Sequence, residues 1–417
     1  MFLIKLQKAK SIIKKNGLKN GLEIVGGYLG TYLKSFFVGS GDILFITGGV
    51  GDKAHFRAFG VAEELSHHGF KTATAMADNF WLLSLVGKFE IFVLHKITVT
   101  EKIEKFIEAA KKQKKEIIFD TDDLDYDPQY LKYMDYYSKI SEVEKKEYEK
   151  GIGAEIVNDP YVKVATTTVN YLADKLREKG KEVFVLKNKI SDHELEIIEK
   201  LYNEEKFPSS VSTSTSSHLL PPASLKLQRG ERTGEGEVVI GYFSGTPSHD
   251  KDFMTVAPVL KEILEKYKKV KLILAGPLDV GNILNKFSDQ LEILPRVPRD
   301  DFHANVKKCD INIVPLEIDN PFCEAKSEIK FMEAGALGIP TVAAKNRTYS
   351  ETIEDGIDGF LAATPEEWQE KLERLIRDNN LRLTMGEKAR RKVFRDYTNK
   401  NSHSEEYYAY LHSILEG

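Results

Sequence analysis

Cysteine is nearly absent from these 417 residues: only Cys309 and Cys323 occur. That excludes a disulfide framework and a cysteine-rich zinc site, and it suits a reducing cytoplasm. An excess of one charge is also missing. The formal net charge is −4, so no global field attracts a nucleic-acid backbone, and no Arg/Lys stripe with interleaved aromatics is present. No apolar run approaches the ~20 residues that span a bilayer. The N-terminus shows no signal-peptide hydrophobic region. The expectation is a cytoplasmic protein with no nucleic-acid partner. What remains is ordinary for full cores, with 41% hydrophobic and 30% charged residues. At roughly 150 residues per domain the length predicts two to three domains.

The first stretch departs from the average. "MFLIKLQKAKSIIKKNGLKNG" carries Lys5, Lys8, Lys10, Lys14, Lys15 and Lys19 and no acid before Glu23. Phe2, Ile4, Leu6, Ile12 and Ile13 supply apolar surface. A basic amphipathic helix can lie on an anionic membrane. Residues 1–20 therefore read either as a peripheral contact with the inner membrane face or as a helix packed on the next domain.

Beyond it, short β-type runs alternate with amphipathic helical patterns. "DILFIT", "KTATA", "EIFVLH", "EIIFD", "VKVATT" and "EVFVL" are the strand runs of the first half. "VVIGYF", "VKLILAG", "INIVPL" and "PTVAA" are those of the second. This alternation predicts an α/β chain with parallel sheets covered by helices on both faces. Between the halves, residues 204–236 are rich in Ser, Thr, Pro, Gly and charge without periodicity, the composition of a flexible linker. The predicted layout is a helical extension over 1–40, a Rossmann-like domain over 41–203, the linker, and a second Rossmann-like domain over 237–396. A final helix over 397–417 completes it. Two doubly wound domains leave a cleft where the C-terminal ends of their strands face each other.

Four stretches carry candidate chemistry. In "FITGGVGDKAHFR" a strand ends in glycines and a helix follows. The turn is not G-x-G-x-x-G, and Asp52 at the helix entrance repels phosphate. Room for an acceptor is the functional reading, with Gly49, His55 and Arg57 beside it. Solvated residues at a helix start are the other reading. In "IIFDTDDLDYDP", Asp120, Asp122, Asp123, Asp125 and Asp127 follow a strand and repel one another unless they meet cations, hydroxyls or N–H groups. Binding of sugar hydroxyls, general-base work by Asp120 or Asp122, a D-x-D metal pattern, and turn or N-cap chemistry before Pro128 all stay open.

In "IGYFSGTPSHDKDF" the strand–loop–helix geometry can cradle phosphate with Ser244, Gly245 and Thr246, while His249 and Lys251 add donors and charge; an ordinary βα turn is the other reading. In "NPFCEAKSEIKFMEAGALGIPTVAA", Lys326, Lys330 and Glu333 share one helical face with Ile329 and Leu337. Charges in such a stripe are costly unless paired. Ser327 can cap the helix, and a plain Lys330–Glu333 ion pair is the alternative to a binding role. Gly335, Gly338 and Pro340 predict a helix seated close to the sheet and cleanly ended.

With these stretches in hand, the chain resembles the GT-B glycosyltransferases, in particular the family-four-type group that builds bacterial surface polysaccharides. "PFCEAKSEIKFMEAGALGIPTVAA" with the later "IEDGIDGFL" is similar to the donor-site helix written E-x7-E and the D-G-x-x-G-x-L strand after it. The resemblance implies that Glu333 holds the ribose hydroxyls of a sugar nucleotide. It also implies that Glu324, Ala325 and Lys326 lie beside the donor sugar and diphosphate, and that Ser244 and Gly245 line the phosphate. Glu324 stands one residue before the strict E-x7-E register, and "GYFSG" lacks the arginine many relatives carry there. Lys326 or Lys330 is expected to supply that charge. The implied activity is transfer of a sugar from a nucleotide sugar, as co-substrate, to a hydroxyl on a glycan or lipid-linked glycan. It is expected to be retaining, with no metal and no further cofactor. A GT-B-like sugar-nucleotide epimerase or hydrolase, or a non-catalytic carbohydrate- or nucleotide-binding protein, is the alternative.

Overall fold

The runs of Val, Ile, Leu and Phe form two six-stranded sheets in which every pairing is parallel. The computed structural model describes residues 18–51, 54–135, 137–206, 236–245, 250–278 and 281–417. The stretch 1–17, Asp52, most of the 204–236 linker, Thr246 and His249 lie outside the described residues.

The first sheet contains β1 (Ile43–Thr47), β2 (Thr72–Met76), β3 (Ile91–His95), β4 (Glu116–Asp120), β5 (Val164–Thr167) and β6 (Glu182–Val185). Its spatial order is β2-β1-β3-β4-β5-β6. The second contains β7 (Val238–Phe243), β8 (Val270–Ala275), β9 (Leu291–Leu294), β10 (Ile311–Val314), β11 (Thr341–Ala344) and β12 (Phe360–Ala362), in the order β12-β11-β10-β7-β8-β9. The second order is that of a dinucleotide-binding Rossmann sheet, while the first reverses one strand sooner, as flavodoxin-like sheets do. The reversals lie between β1 and β3 and between β7 and β10, and each opens a crevice at the strands' C-terminal ends. The chain is thus an α/β protein with two Rossmann-like doubly wound domains facing across a cleft, the GT-B architecture.

Inner strands such as β1, β3, β7 and β10 are buried along their whole length, which is why they read as unbroken apolar runs. The sequence pattern does not reveal β9, and it signals β12 only through the resemblance of "IEDGIDGFL" to a family strand. Both are outer strands. The two middle residues of β9 face solvent, and β12 is three residues long, so neither needs a continuous apolar run.

The helices that frame the cleft or join the sheets are α1 (Leu18–Lys34), α2 (Gly60–His67), α3 (Asp192–Lys206), α4 (Arg299–Val306), α5 (Ile329–Ala336), α6 (Asn379–Asp396) and α7 (Glu405–Glu416). α3 follows the first sheet in the chain, yet its Ile198 lies in the core of the second domain. Its Tyr202 packs 3.9 Å under the Arg390 guanidinium and donates to Glu387. α7 crosses back, and its Tyr407, Tyr408 and Leu411 join Ile43, Phe45 and Leu65 in the core of the first domain. The crossing is tied by buried Glu64, which accepts from Ser402 Oγ (2.5 Å), Tyr408 Oη (2.6 Å) and Lys189 Nζ (3.2 Å).

Gly335 does not serve the sheet, as the sequence reading expects. A β-carbon there would meet Val393 Cγ2 at 2.9 Å, so the glycine admits α6 against α5. Gly276, after β8, has φ +94, and a β-carbon would meet the Ser244 carbonyl oxygen at 1.9 Å. Only glycine fits where the ends of β7 and β8 close on each other.

Candidate functional site

A cleft of about 950 Å³ opens between the two sets of strand ends. The second domain lines it with Ser244, Gly245, Lys326, Ser327, Lys330 and Glu333, and the first domain contributes His55, Asp122 and Asp123. α1 also borders it through Tyr28 and Lys34.

On the second domain, α5 starts at Ile329 rather than at Ser327, with Glu328 as its N-cap and no side-chain cap bond. Ser327 is therefore not the cap. Its Oγ accepts from Asn188 Nδ2 at 3.0 Å, a link between the domains. Phe331, Met332, Ala334 and Ala336 are buried and turn α5 against its neighbours, which leaves Lys330 and Glu333 on the cleft face. The two do not pair with each other. Glu333 Oε1 accepts from Arg299 Nη1 at 2.6 Å. Among the described residues the Lys330 ammonium has no ion-pair partner. Burial, then the like charge of Lys326, pushes its pKa below the ordinary lysine value, against the pull of Glu333 and Asp252.

Lys326 differs. Burial disfavours its charge, but the carboxylate of Asp252 outweighs that and its pKa is raised. The pair is in direct contact. Asp252 is itself buried and accepts from the Cys323 thiol (3.1 Å) and the Glu317 N–H (3.3 Å). Burial above all pushes the Cys323 thiol up to about 12, so it stays a protonated donor. Asp252, Glu317 and Cys323 place three potential ligand atoms within 4.8 Å of one another. The Lys326 ammonium already neutralises the carboxylate at their centre.

Ser244 and Gly245 line the cleft just after β7, the strand that borders the reversal point of its sheet. Lys251 does not line the cleft. It is exposed and pairs with Asp135 of the first domain at 3.2 Å. Glu324 does not line it either. Its Oε2 accepts the backbone N–H of Arg347 at 2.9 Å, which turns this carboxylate, one residue out of the strict register, away from the cleft.

On the first domain, the structure corrects the reading of Asp120 and Arg57. Both are buried. Arg57 Nε and Nη2 donate to the two Asp120 oxygens (3.2 and 2.5 Å), and Nη1 donates to the Leu186 carbonyl. His95 Nδ1 and Thr166 Oγ1 complete the carboxylate at 2.8 Å each. Burial alone would raise the Asp120 pKa, but Arg57 and His95 hold it well below the usual carboxylate range. A carboxylate with four donors and no access to the cleft is a structural anchor rather than a general base, and Arg57 does not reach an acceptor. Gly49 faces open space beside the cleft but does not line it.

Asp122 does line it, under the control of a residue the sequence reading passed over. Lys96 directly follows β3 with φ +46, a left-handed conformation that a non-glycine residue adopts only at a cost. Its ammonium lies 3.2 Å from Asp122 and 3.5 Å from Asp123 and also contacts Asp125. One cation thus resolves the repulsion predicted among these acids. His55 also lines the cleft, with Nε2 2.9 Å from Glu194 Oε2 of α3. It belongs to a single π-turn, His55–Phe59, that precedes α2.

Arg299 and Glu194 were also hidden in the sequence. Ser191 and Glu194 spell S-x-x-E and form the reciprocal bonds of a capping box, which masks the second use of the glutamate. Arg299 did offer a signal. It is the first residue of α4, where a cation opposes the helix dipole and calls for a partner.

Residues 228–392 match the family model described as Glycosyl transferases group 1. No curated protein sequence matches the chain. Among solved structures, the chain is similar to the Anabaena protein HepE in complex with UDP, at 14% identity and TM-score 0.55, covering 89% of this chain and 99% of HepE. It is similar to the sucrose-phosphate synthase of Thermosynechococcus elongatus, at 11% identity and TM-score 0.57, covering 90% and 99%. A glycosyltransferase from Rickettsia africae matches at 14% identity and TM-score 0.54, covering 91% and 100%. At these identities the likeness is one of fold. The second domain belongs to the glycosyl transferases group 1 family, and the chain as a whole carries the GT-B glycosyltransferase fold.

Proposed function

We propose that this protein transfers a sugar from a nucleotide-sugar donor to a hydroxyl acceptor on a glycan or lipid-linked glycan. The observation that carries this reading is one helix face. Within the group 1 domain, α5 presents the Lys330 ammonium, which has no ion-pair partner among the described residues, and the Glu333 carboxylate together to the cleft. One suits a diphosphate and the other a sugar diol. HepE, of the same fold, has been solved with UDP and with UDP-glucose, which supports a nucleotide sugar as the donor.

Cleavage of the sugar–diphosphate bond leaves negative charge on the departing phosphate. Lys330, and to a lesser degree the Asp252-neutralised Lys326, meets that charge with fixed positive charge. Ser244 and the Gly245 backbone border the phosphate position. This division of labour supports a metal-independent reaction, with the donor on the second domain and the acceptor on the first. Asp122 and Asp123, steadied by Lys96, accept hydrogen bonds from acceptor hydroxyls. Retention of configuration follows if the leaving phosphate takes the acceptor proton. In an inverting reaction Asp122 is the carboxylate placed to take it. Closure of the domains excludes water and limits hydrolysis.

A lipid-linked acceptor accords with the surface of the first domain. Leu22, Leu29 and Leu33 form an exposed stripe along α1; Phe37 (85% exposed) follows the helix, and Phe80 (80%), its ring 6.0 Å from that of Phe36, and Trp81 (58%) are exposed near its end. Among the described residues no helix is long and apolar enough to cross a membrane. A peripheral contact of this face with an anionic inner leaflet fits the six lysines that precede it in sequence.

One set of assays tests these points. Donor turnover should need acceptor and should persist in excess chelator. The protein should sediment with anionic vesicles and not with neutral ones. Donor consumed equally without acceptor points instead to an epimerase or hydrolase. Activity lost in chelator and restored by Mg²⁺ or Mn²⁺ overturns metal independence, and failure to sediment removes the membrane contact.

A further inference from the structure

Glu333 is held by one guanidinium that also reaches the first domain. Arg299 Nη1 donates to Glu333 Oε1 at 2.6 Å, and its Nε donates to Glu194 Oε1 at 2.6 Å. Its guanidinium carbon lies 4.8 Å from the ring centroids of both Phe302, on its own helix, and Phe56, from the first domain. Glu194 is buried and held in turn by His55 Nε2 (2.9 Å), His303 Nε2 (3.5 Å) and Ser191 Oγ (2.9 Å). A planar group fixed between two rings and forked onto two carboxylates has little rotational freedom. Glu333 is only 5% exposed, so the direction of its carboxylate is set by the few groups that touch it. With Oε1 on Arg299, Oε2 makes no hydrogen bond among the described residues and remains for a ligand hydroxyl.

We propose that Arg299 is the positioning residue for Glu333. It keeps that carboxylate turned to the cleft, and so gives the site its preference for ribonucleotides over 2′-deoxyribonucleotides. This rests on the reading that Glu333 receives the donor's ribose. A hydrogen bond to a charged group that is buried by the ligand carries roughly a tenfold or greater preference for the hydroxyl-bearing ligand.

The test is titration calorimetry with matched pairs, UDP against 2′-deoxy-UDP and GDP against 2′-deoxy-GDP, whichever pair binds. Wild type should favour the ribonucleotide by roughly tenfold or more. Glu333→Gln should lose that preference. Arg299→Gln should lose it as well, while its affinity for the deoxyribonucleotide changes little and its melting temperature shows a folded protein. A structural role alone would lower both affinities together and leave their ratio intact. If Arg299→Gln does not fold, Arg299→Lys carries the test, since a point-charge ammonium cannot fork onto both carboxylates and the ratio must fall. A ratio retained in the arginine variants but lost in Glu333→Gln overturns the role of Arg299 alone. A ratio retained in Glu333→Gln, or absent from wild type, overturns the ribose reading beneath it.

Discussion

Replacing Lys330 by alanine should lower kcat by roughly 10²- to 10³-fold, the loss typical when one preorganised donor to a developing negative charge is removed. The reason lies in the difference between the two lysines. Lys326 is bound to buried Asp252, and that pair presents little net charge to a ligand. Lys330 has no such partner among the described residues and sits on the cleft face of α5. Charge on the departing diphosphate grows towards the transition state, so the variant should lose more in kcat than in donor KM.

The pH dependence of this lysine has a definite sign. Burial and Lys326 lower its pKa in the free protein, so the ammonium is lost as pH rises, sooner than for an ordinary lysine. A bound diphosphate would raise the pKa again. Wild-type kcat/KM, which reports the free enzyme, should therefore fall on the alkaline side before kcat does. Lys330→Ala should lack this limb. A variant with kcat near that of wild type would remove Lys330 from the chemistry.

The second large effect is on stability. Asp120→Asn should destabilise the first domain by about 3–5 kcal/mol, because it leaves the buried Arg57 guanidinium without the carboxylate it pairs with. That corresponds to a fall of roughly 10 °C in its melting transition. The folded carboxyl pKa is depressed. Its contribution is therefore present in full above the unfolded carboxylate range and lost as pH falls through that range towards the folded value. Wild type should lose this stability in acid, and the asparagine variant should have none of it to lose. Thermal denaturation across acid pH reads both. A variant that melts like wild type yet is inactive would instead restore Asp120 to the chemistry.

These two residues mark how far the sequence could be read. Doubly wound architecture was legible because inner parallel strands are buried on both faces and appear as apolar runs. Outer strand β9 was not, since a half-exposed strand leaves no such run, and three-residue β12 was legible only through the resemblance of "IEDGIDGFL". In the site, Lys330 and Glu333 stood out as charges inside an apolar stripe. Asp120 and Asp122 looked alike, two residues apart after one strand. What separates them is a buried arginine 63 residues away in sequence and a lysine in a left-handed turn, and neither has a local signature. Arg299 was concealed for a similar reason: its partners Glu333 and Glu194 lie 34 and 105 residues away.

The most direct measurement of the central claim is calorimetric titration of UDP, GDP, dTDP and CMP into wild type, Lys330→Ala and Glu333→Ala. At least one nucleoside diphosphate should bind wild type, and its affinity should fall by roughly tenfold or more in each variant, the loss of a charged hydrogen-bond partner. Unchanged affinity in both variants, or no nucleotide binding by wild type, would contradict a nucleotide-sugar site on this helix face.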